Sequence, residues 1–171
     1  MKRIYLVLVI IVLSLTSCSF GDTNMKNKSD CQMAQNRLEQ LLDGIQNQDR
    51  EKIINTFSEN AIKESENMDE SLDYLFDYFQ GTVQSYDWGD NTIGPISDGL
   101  IEHGKRMVEL KSWFEVTTDK ERYIFFLLDY PKDEFDAKNI GLYSLRVVKT
   151  SEKEDRLTYW QDMKIPGIYK P

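Results

Sequence analysis

The sequence is poor in the residues that cross-link small domains or bind metal ions. Its 171 residues include two cysteines and one histidine, which is too few for the four Cys or His ligands of a structural zinc site. Four prolines and nine glycines are also too few for a collagen-like or low-complexity chain. Because 40% of the residues are hydrophobic and 29% are charged, one soluble, core-forming domain is expected.

Positive charge is scarce as well. Lys and Arg number 21 against 29 Asp and Glu, which gives a formal net charge of −8. Removal of Lys2 and Arg3 with a leader segment would leave 19 basic residues and a net charge of −10. A chain this acidic repels phosphate backbones, so a nucleic acid is not an expected partner.

No apolar run is long enough to be a good membrane span. The longest, residues 4–15, has 12 residues and is interrupted only by Ser14, whereas a spanning helix needs about 20. The run follows Met1, Lys2 and Arg3. A short basic start before a run of this length is typical of a secretory signal peptide.

The end of that segment carries a more specific pattern. Leu15, Thr16, Ser17 and Cys18 resemble the bacterial lipobox, in which the peptidase cuts before a cysteine whose sulfur already carries a diacylglyceryl group. The resemblance implies lipidation of Cys18 and attachment to a membrane, since two acyl chains anchor a protein stably. The alternative is an ordinary cleaved signal with a chance cysteine at its end.

These patterns predict three parts of the chain. Residues 1–17 form a signal peptide, residues 18–30 hold the lipidated cysteine and a polar, flexible tether, and residues 31–171 form a single globular domain. With Cys18 lipidated, Cys31 has no partner for an intrachain disulfide, so the core alone must hold the domain together. We expect Cys31 at the start of the first helix rather than as a reactive thiol.

Helical periodicity marks the N-terminal half of the domain. Three helices are predicted from apolar residues at i, i+3 and i+4 spacing, the second capped by Asp49 and closed by Ser58, Glu59 and Asn60. The third begins near Met68 and ends before Gly81, where a left-handed cap would favour glycine. The three apolar sets are Leu38, Leu41, Leu42 and Ile45; Ile53, Ile54 and Phe57; and Leu72, Leu75, Phe76 and Phe79.

The C-terminal half changes to a period of two. Strands are predicted at residues 108–116, 123–128, 140–148 and 157–160, with a charged loop at 131–138 and polar turns at 119–120 and 151–155. One further strand within 82–99 would precede a loop rich in Gly and Asp. Helices followed by a meander predict an α+β fold with three N-terminal helices packed on a curved antiparallel sheet.

Four segments resemble a known group of proteins: residues 57–63 (FSENAIK), 69–81 (DESLDYLFDYFQG), 110–116 (LKSWFEV) and 166–171 (PGIYKP). They are similar to a family of small bacterial lipoproteins catalogued only as a domain of unknown function, within the nuclear transport factor 2-like (cystatin-like) superfamily. The resemblance implies a cone-shaped space between helices and sheet. It also implies location on the outer face of the cytoplasmic membrane, and it assigns no catalytic residue.

Relatives with that fold include a ketosteroid isomerase and dehydratases, which place a carboxylate or histidine beside tyrosines. The nearest candidate here is Asp129, which follows the apolar residues 125–128 and would act as a base if buried. Because Tyr130 and Pro131 come next, a solvated strand end is the preferred interpretation. His103, beside Glu102, is expected at the surface, on a loop or a strand edge. The sequence holds no nucleophile elbow or glycine-rich phosphate loop.

Two other sets of residues have ordinary interpretations. Two acidic sets are expected in solvated charged loops, since the EF-hand calcium pattern is not matched. They are Asp87, Asp90, Asn91 and Asp98 in one loop and Asp133, Glu134 and Asp136 in another. Seven aromatic residues could line a cavity or fill the core: Tyr74, Tyr78, Tyr86, Trp88, Trp113, Tyr143 and Trp160. No metal ion or cofactor is predicted.

The sequence therefore predicts a lipid-anchored cell-envelope protein that binds a small ligand or a protein partner in a cavity between helices and sheet. One alternative is an enzyme of isomerase or dehydratase type that uses Asp129 and a tyrosine. A second alternative is a folded interaction module without a cavity.

Overall fold

The computed structural model describes residues 25–89, 94–152 and 163–169. The signal peptide, the lipobox with Cys18 and the predicted strand at 157–160 lie outside these ranges, as do Asp90, Asn91 and Trp160. Within them the protein is α+β, with four helices and one six-stranded sheet.

Four helices occupy the N-terminal half of the described chain: α1 (Met25–Gln46), α2 (Arg50–Ile54), α3 (Glu59–Glu64) and α4 (Met68–Tyr78). The apolar stripe predicted for α1 is confirmed, because all four of its residues are buried. The predicted cap of α2 is also confirmed, since the Asp49 carboxylate accepts a hydrogen bond from the Lys52 N–H at 3.0 Å. Residues 25–30, which the sequence assigns to the tether, form the first turns of α1.

The short helix α3 is a correction to the predicted set of three. Ser58 does not close α2; its hydroxyl accepts a hydrogen bond from the Ala61 N–H at 3.1 Å and so begins a new helix. Ala61 is the only residue of α3 that is fully buried. A helix of six residues with one buried position is too short to produce a periodic apolar signal.

Six strands follow: β1 (Val83–Trp88), β2 (Ile96–Glu102), β3 (Lys105–Thr118), β4 (Arg122–Asp133), β5 (Gly141–Lys149) and β6 (Gly167–Tyr169). The order in the sheet is β1-β3-β4-β5-β6. The strand β2 pairs with the N-terminal half of β3, over residues 105–111, and β1 pairs with its C-terminal half, over 114–118. Since β4 pairs along almost the whole of β3, β1 and β2 share the other edge of that strand.

The sheet is mixed, which corrects the antiparallel sheet predicted from the sequence. β6 runs parallel to β5, pairing residues 167–169 with 144–146. β6 has only three residues, and β2 is exposed along its whole length, so neither strand shows the alternation that identifies a half-buried strand. β4 extends to Asp133, into the predicted loop; beyond Tyr130 it has no β5 partner, which is where Pro131 is tolerated.

The sheet buries both of its faces, at least around β4. Its inner face packs on the helices in one cluster in which Phe114, Tyr123 and Phe125 are fully buried. The alternation predicted for residues 108–116 is confirmed, and Ser112 is buried with its neighbours. A smaller cluster lies on the outer face and includes Met163.

In residues 25–89, 94–152 and 163–169, no helix combines the length and hydropathy needed to cross a membrane.

Candidate functional site

Asp129, the sequence candidate for a catalytic base, lies on the inner face of β4 beside α1. The Arg37 guanidinium donates from Nε to Oδ2 at 2.5 Å and from Nη2 to Oδ1 at 3.4 Å. Asp129 is only 7% exposed, so the solvated strand end expected from the sequence is wrong. The reason is that β4 continues for four more residues and α1 crosses over this position.

The ion pair limits what Asp129 can do chemically. A general base must direct one carboxylate oxygen at the proton that it removes from the substrate, and here both oxygens face the guanidinium. Charge-assisted pairs with two N–H···O bonds fix orientation as well as supplying energy. The arrangement is that of a helix-to-sheet ion pair. Sequence reasoning missed Arg37 because it lies 92 positions away.

The tyrosine hydroxyls of the helix–sheet interface are engaged in hydrogen bonds that join elements. The Tyr123 hydroxyl donates to the Tyr78 carbonyl at 3.2 Å and accepts from the Gln80 N–H at 2.7 Å. The Tyr78 hydroxyl donates to Glu152 at 2.5 Å and accepts from the Lys149 N–H at 2.8 Å. Burial, together with the hydrogen bond to Glu152, raises the pKa of Tyr78 well above its usual range. These hydroxyls hold helices and strands together.

Most of the other aromatic candidates also pack on the two clusters. Tyr86 and Trp88 lie against Phe114 on the inner face, while Trp113 and Tyr143 pack against the outer cluster. The Tyr86 hydroxyl donates to Glu39 of α1 at 2.5 Å. Burial and this hydrogen bond raise the pKa of Tyr86 to about 12. The core-filling interpretation of these residues is therefore the better one.

The acidic loop after β4 is organised by Asp133. Its Oδ1 accepts from the Phe135 and Asp136 N–H groups at 2.8 and 3.0 Å, and its Oδ2 accepts from the Asn139 side-chain amide at 2.9 Å. Burial opposes ionisation of Asp133, but these three hydrogen bonds outweigh it and lower the pKa of the carboxyl. The described residues bring together no group of three His, Cys, Asp or Glu side chains suited to a metal ion.

This depressed pKa predicts a pH dependence of stability. Because the unfolded chain binds the Asp133 proton more readily, the carboxylate's contribution is complete above the unfolded pKa, about 4, and is lost as the pH falls through the folded value. We expect the free energy of unfolding of Asp133→Asn to fall less between pH 5 and pH 3 than that of the wild type. Urea titrations at each pH measure it, and parallel pH profiles would contradict the assignment.

His103 lies at the surface as predicted, whereas Cys31 lies further inside the first helix than its predicted position at the helix start. His103 is in the turn between β2 and β3 with its side chain 88% exposed, so the prediction of a surface position is confirmed. His103 and Gly104 both have positive φ, at 49° and 77°, which is the conformation of a tight hairpin turn. Cys31 lies within α1, in its second turn, and is half-buried.

Three large apolar side chains are exposed on the single strand β2. Ile101 is 74% exposed, and Ile96 and Leu100 are exposed as well. We call Ile96–Glu102 the β2 edge, because in the part of the chain that the structure describes this strand pairs with β3 alone. Sequence reasoning missed it because exposure on both faces removes the alternation of a half-buried strand.

The fold and these sites together define a class of protein: an α+β domain with helices on one face of a mixed sheet and, among the described residues, an exposed edge strand that pairs on one side only. Residues 40–150 match the family described as "Domain of unknown function (DUF5104)". The chain belongs to this family, which confirms the resemblance to a domain of unknown function stated from the sequence. No curated protein matches the chain. The matched region runs from the second half of α1 through β5 and includes Asp129 and the β2 edge.

Proposed function

We propose that this protein is an exported lipoprotein of the cell envelope whose domain binds another envelope protein through its surface. The observation that carries the proposal is the order of features in residues 1–18: a basic start, a 12-residue apolar run and a lipobox ending at Cys18. A diacylated cysteine would hold the protein on the outer face of the cytoplasmic membrane.

The distance between the anchor and the domain supports this location. Six residues separate Cys18 from Met25, where α1 begins. Fully extended, a segment of that length spans at most about 20 Å. The domain would therefore remain close to the membrane surface, where its partners would be other anchored or secreted proteins.

Binding is favoured over catalysis by the position of Asp129. Both of its carboxylate oxygens accept hydrogen bonds from Arg37. The hydroxyls of the tyrosines nearest to the inner cluster are hydrogen bonded to backbone groups and carboxylates. An isomerase or dehydratase would need a carboxylate with an oxygen directed at its substrate.

A surface site is favoured over an internal cavity by the packing between helices and sheet. The apolar side chains of α1 and α4 are buried in one cluster with those of the inner face of the sheet. The cluster includes Leu38 and Leu41 of α1, Leu72 and Leu75 of α4, and Phe114 and Phe125 of the sheet. The helices and the inner face thus pack their side chains against each other, which favours a site on the surface. Of the sequence-based functions, the interaction module agrees best with this arrangement.

The cone-shaped, cystatin-like arrangement belongs to the same proposal. Three of the strand pairings, β1 with β3, β3 with β4 and β4 with β5, contain a shift of register. Bulges of this kind bend strands and increase their twist. They support a sheet that curves around its helices, as the superfamily resemblance implies.

Lipidation is tested by the variant Cys18→Ala in the full-length chain. We expect the wild type to fractionate with membranes and to carry a diacylglyceryl mass on its N-terminal cysteine, whereas the variant keeps its uncut leader without the lipid. Cys31→Ala is the matched control and should behave like the wild type. Intact-mass measurement of both variants is the readout, and an unmodified Cys18 in the mature wild type would refute the anchor.

A further inference from the structure

We propose that the β2 edge binds an extended segment of a basic protein partner, which adds to the sheet as a further strand beside β2. This inference rests on the proposed function of a binding module and names the site and the chemistry of its partner. In this mode, backbone hydrogen bonds supply affinity and alternate side chains supply specificity.

The first support is that β2 has an edge available for pairing. In the described part of the chain β2 pairs with β3 alone, in continuous register from Ile96 opposite Lys111 to Glu102 opposite Lys105. Its outer side therefore presents backbone N–H and C=O groups that no other strand of the described chain uses. All seven residues of β2 are exposed.

The second support is that β2 lacks most of the features that block such pairing. Natural edge strands are protected by charged side chains, especially lysine, and by proline, bulges or short length. β2 has seven residues, no bulge in its pairing with β3, and neither lysine nor proline. It instead exposes Ile96, Leu100 and Ile101, which suit contact with apolar side chains of an added strand.

The third support is the charge of the strand, which selects the partner. Ile96, Asp98, Leu100 and Glu102 share one face, because side chains alternate along a strand. Asp98 lies 3.6 Å from the Lys111 Nζ of β3, and Glu102 lies 3.5 Å from the His103 Nε2. Their side chains nevertheless stay 69% and 58% exposed, so both can also contact a neighbouring strand. Cross-strand pairs of opposite charge are stabilising and pairs of like charge are not. The chemistry that fits is a strand with Lys or Arg at alternate positions and apolar residues between them.

The same charges argue against a second copy of this chain as the occupant. Two β2 strands side by side would bring four carboxylates to one seam, and each chain would place, among its described residues, only Lys111 of β3 within ion-pair distance of Asp98. Each chain also carries a net charge of −8. Repulsion of this kind disfavours the homodimer and favours a basic partner.

The test uses the full-length protein in mild detergent and a fluorescent hexapeptide of alternating lysine and valine. We expect binding by anisotropy, with at least about tenfold weaker binding of the peptide that carries glutamate in place of lysine. Amide hydrogen exchange of residues 96–102 should slow when the lysine peptide is bound. A lysine peptide with alternate amides methylated should bind about tenfold more weakly, because it lacks the donors needed for strand pairing.

Charge-reversal variants separate the β2 edge from the acidic surface in general. Asp98→Lys/Glu102→Lys should weaken binding of the lysine peptide at least about tenfold and favour the glutamate peptide. Glu64→Lys/Glu66→Lys makes the same change of charge at exposed positions away from β2 and should leave binding within about twofold of the wild type. Far-UV circular dichroism verifies that both variants are folded.

Several outcomes would overturn the proposal. If both double variants bound the lysine peptide equally well, or if the methylated peptide bound as tightly as the unmethylated one, general electrostatic attraction and not strand addition would explain the binding. A concentration-dependent dimer that Asp98→Lys/Glu102→Lys alters would assign the β2 edge to a second copy. The anchor is judged separately by the mass of Cys18, so lipidation without peptide binding would refute only this inference.

Discussion

Replacing Gly141 by alanine is expected to lower the free energy of unfolding by about 3 kcal/mol, although the change adds a single methyl group. Gly141 has φ of 130°, which side chains rarely adopt. A Cβ atom at this position would lie 2.8 Å from the Ser58 nitrogen and 3.1 Å from the Phe57 carbonyl carbon. Overpacking against backbone costs about 1–3 kcal/mol, and the strained φ adds about 1 kcal/mol or more.

The neighbouring backbone cannot move away cheaply because it is hydrogen bonded to the same strand. The Ser58 N–H donates to the Leu142 carbonyl at 3.0 Å, and the Leu142 N–H donates to the Thr56 carbonyl at 2.9 Å. These bonds join the connection between α2 and α3 to the start of β5. A displacement that relieves the clash would weaken both of them, and buried backbone groups that lose partners are costly.

Gly104→Ala is the matched control. Gly104 also has positive φ, at 77°, but an added Cβ would meet nothing within 4 Å. We expect Gly104→Ala to lower the free energy of unfolding by about 1 kcal/mol, because only the strain of the positive φ contributes there. Urea denaturation followed by circular dichroism compares the two variants with the wild type. Equal losses for the two glycines would show that the contact with residues 57 and 58 is unimportant.

The parts of the fold that could be predicted from the sequence are those with many buried residues in regular succession. The stripe from Leu38 to Ile45 and the alternation from Val108 to Val116 each place several side chains in the core, so periodicity identifies them. The short helix α3 and the strands β2 and β6 bury too little for such a signal. The predicted strand at 123–128 ends before β4 does, because Pro131 and the charged residues after it indicate a loop.

The candidate site was less predictable than the fold. A carboxylate that follows an apolar strand could be recognised in Asp129, but its environment depends on α1. No local pattern connects Arg37 with a position 92 residues away. The β2 edge was missed for a different reason: what distinguishes it is that, among the described residues, only one strand pairs with it. Pairing of this kind is a property of the assembled fold.

Removing one member of the Arg37–Asp129 pair is the second change with a large expected effect. The two side chains are 21% and 10% exposed, so either charge left alone would be poorly hydrated. Breaking a fully buried pair costs about 3–5 kcal/mol. Since Arg37 retains some contact with water, we expect Asp129→Leu to lower the free energy of unfolding by about 2–3 kcal/mol.

A double variant separates the ion pair from the other roles of these residues. Arg37→Met/Asp129→Leu leaves neither charge behind, so it should recover much of the loss, and a double-mutant cycle then gives the coupling. Glu59→Ala, which removes one member of the exposed pair with Lys138 at 4.0 Å, should change stability by less than about 0.5 kcal/mol. Urea denaturation of the wild type, Arg37→Met, Asp129→Leu, the double variant and Glu59→Ala measures these differences.

The result of that cycle also bears on catalysis. Residues that hold a charge for chemistry commonly destabilise the fold, so their replacement tends to stabilise it. If Asp129→Leu is more stable than the wild type, the ion pair does not stabilise the fold, and Asp129 is again a candidate for a catalytic base. A loss of about 2 kcal/mol or more with strong coupling to Arg37 would instead assign the pair to attachment of α1 to the sheet. Function would then rest on the surface, where the β2 edge lies.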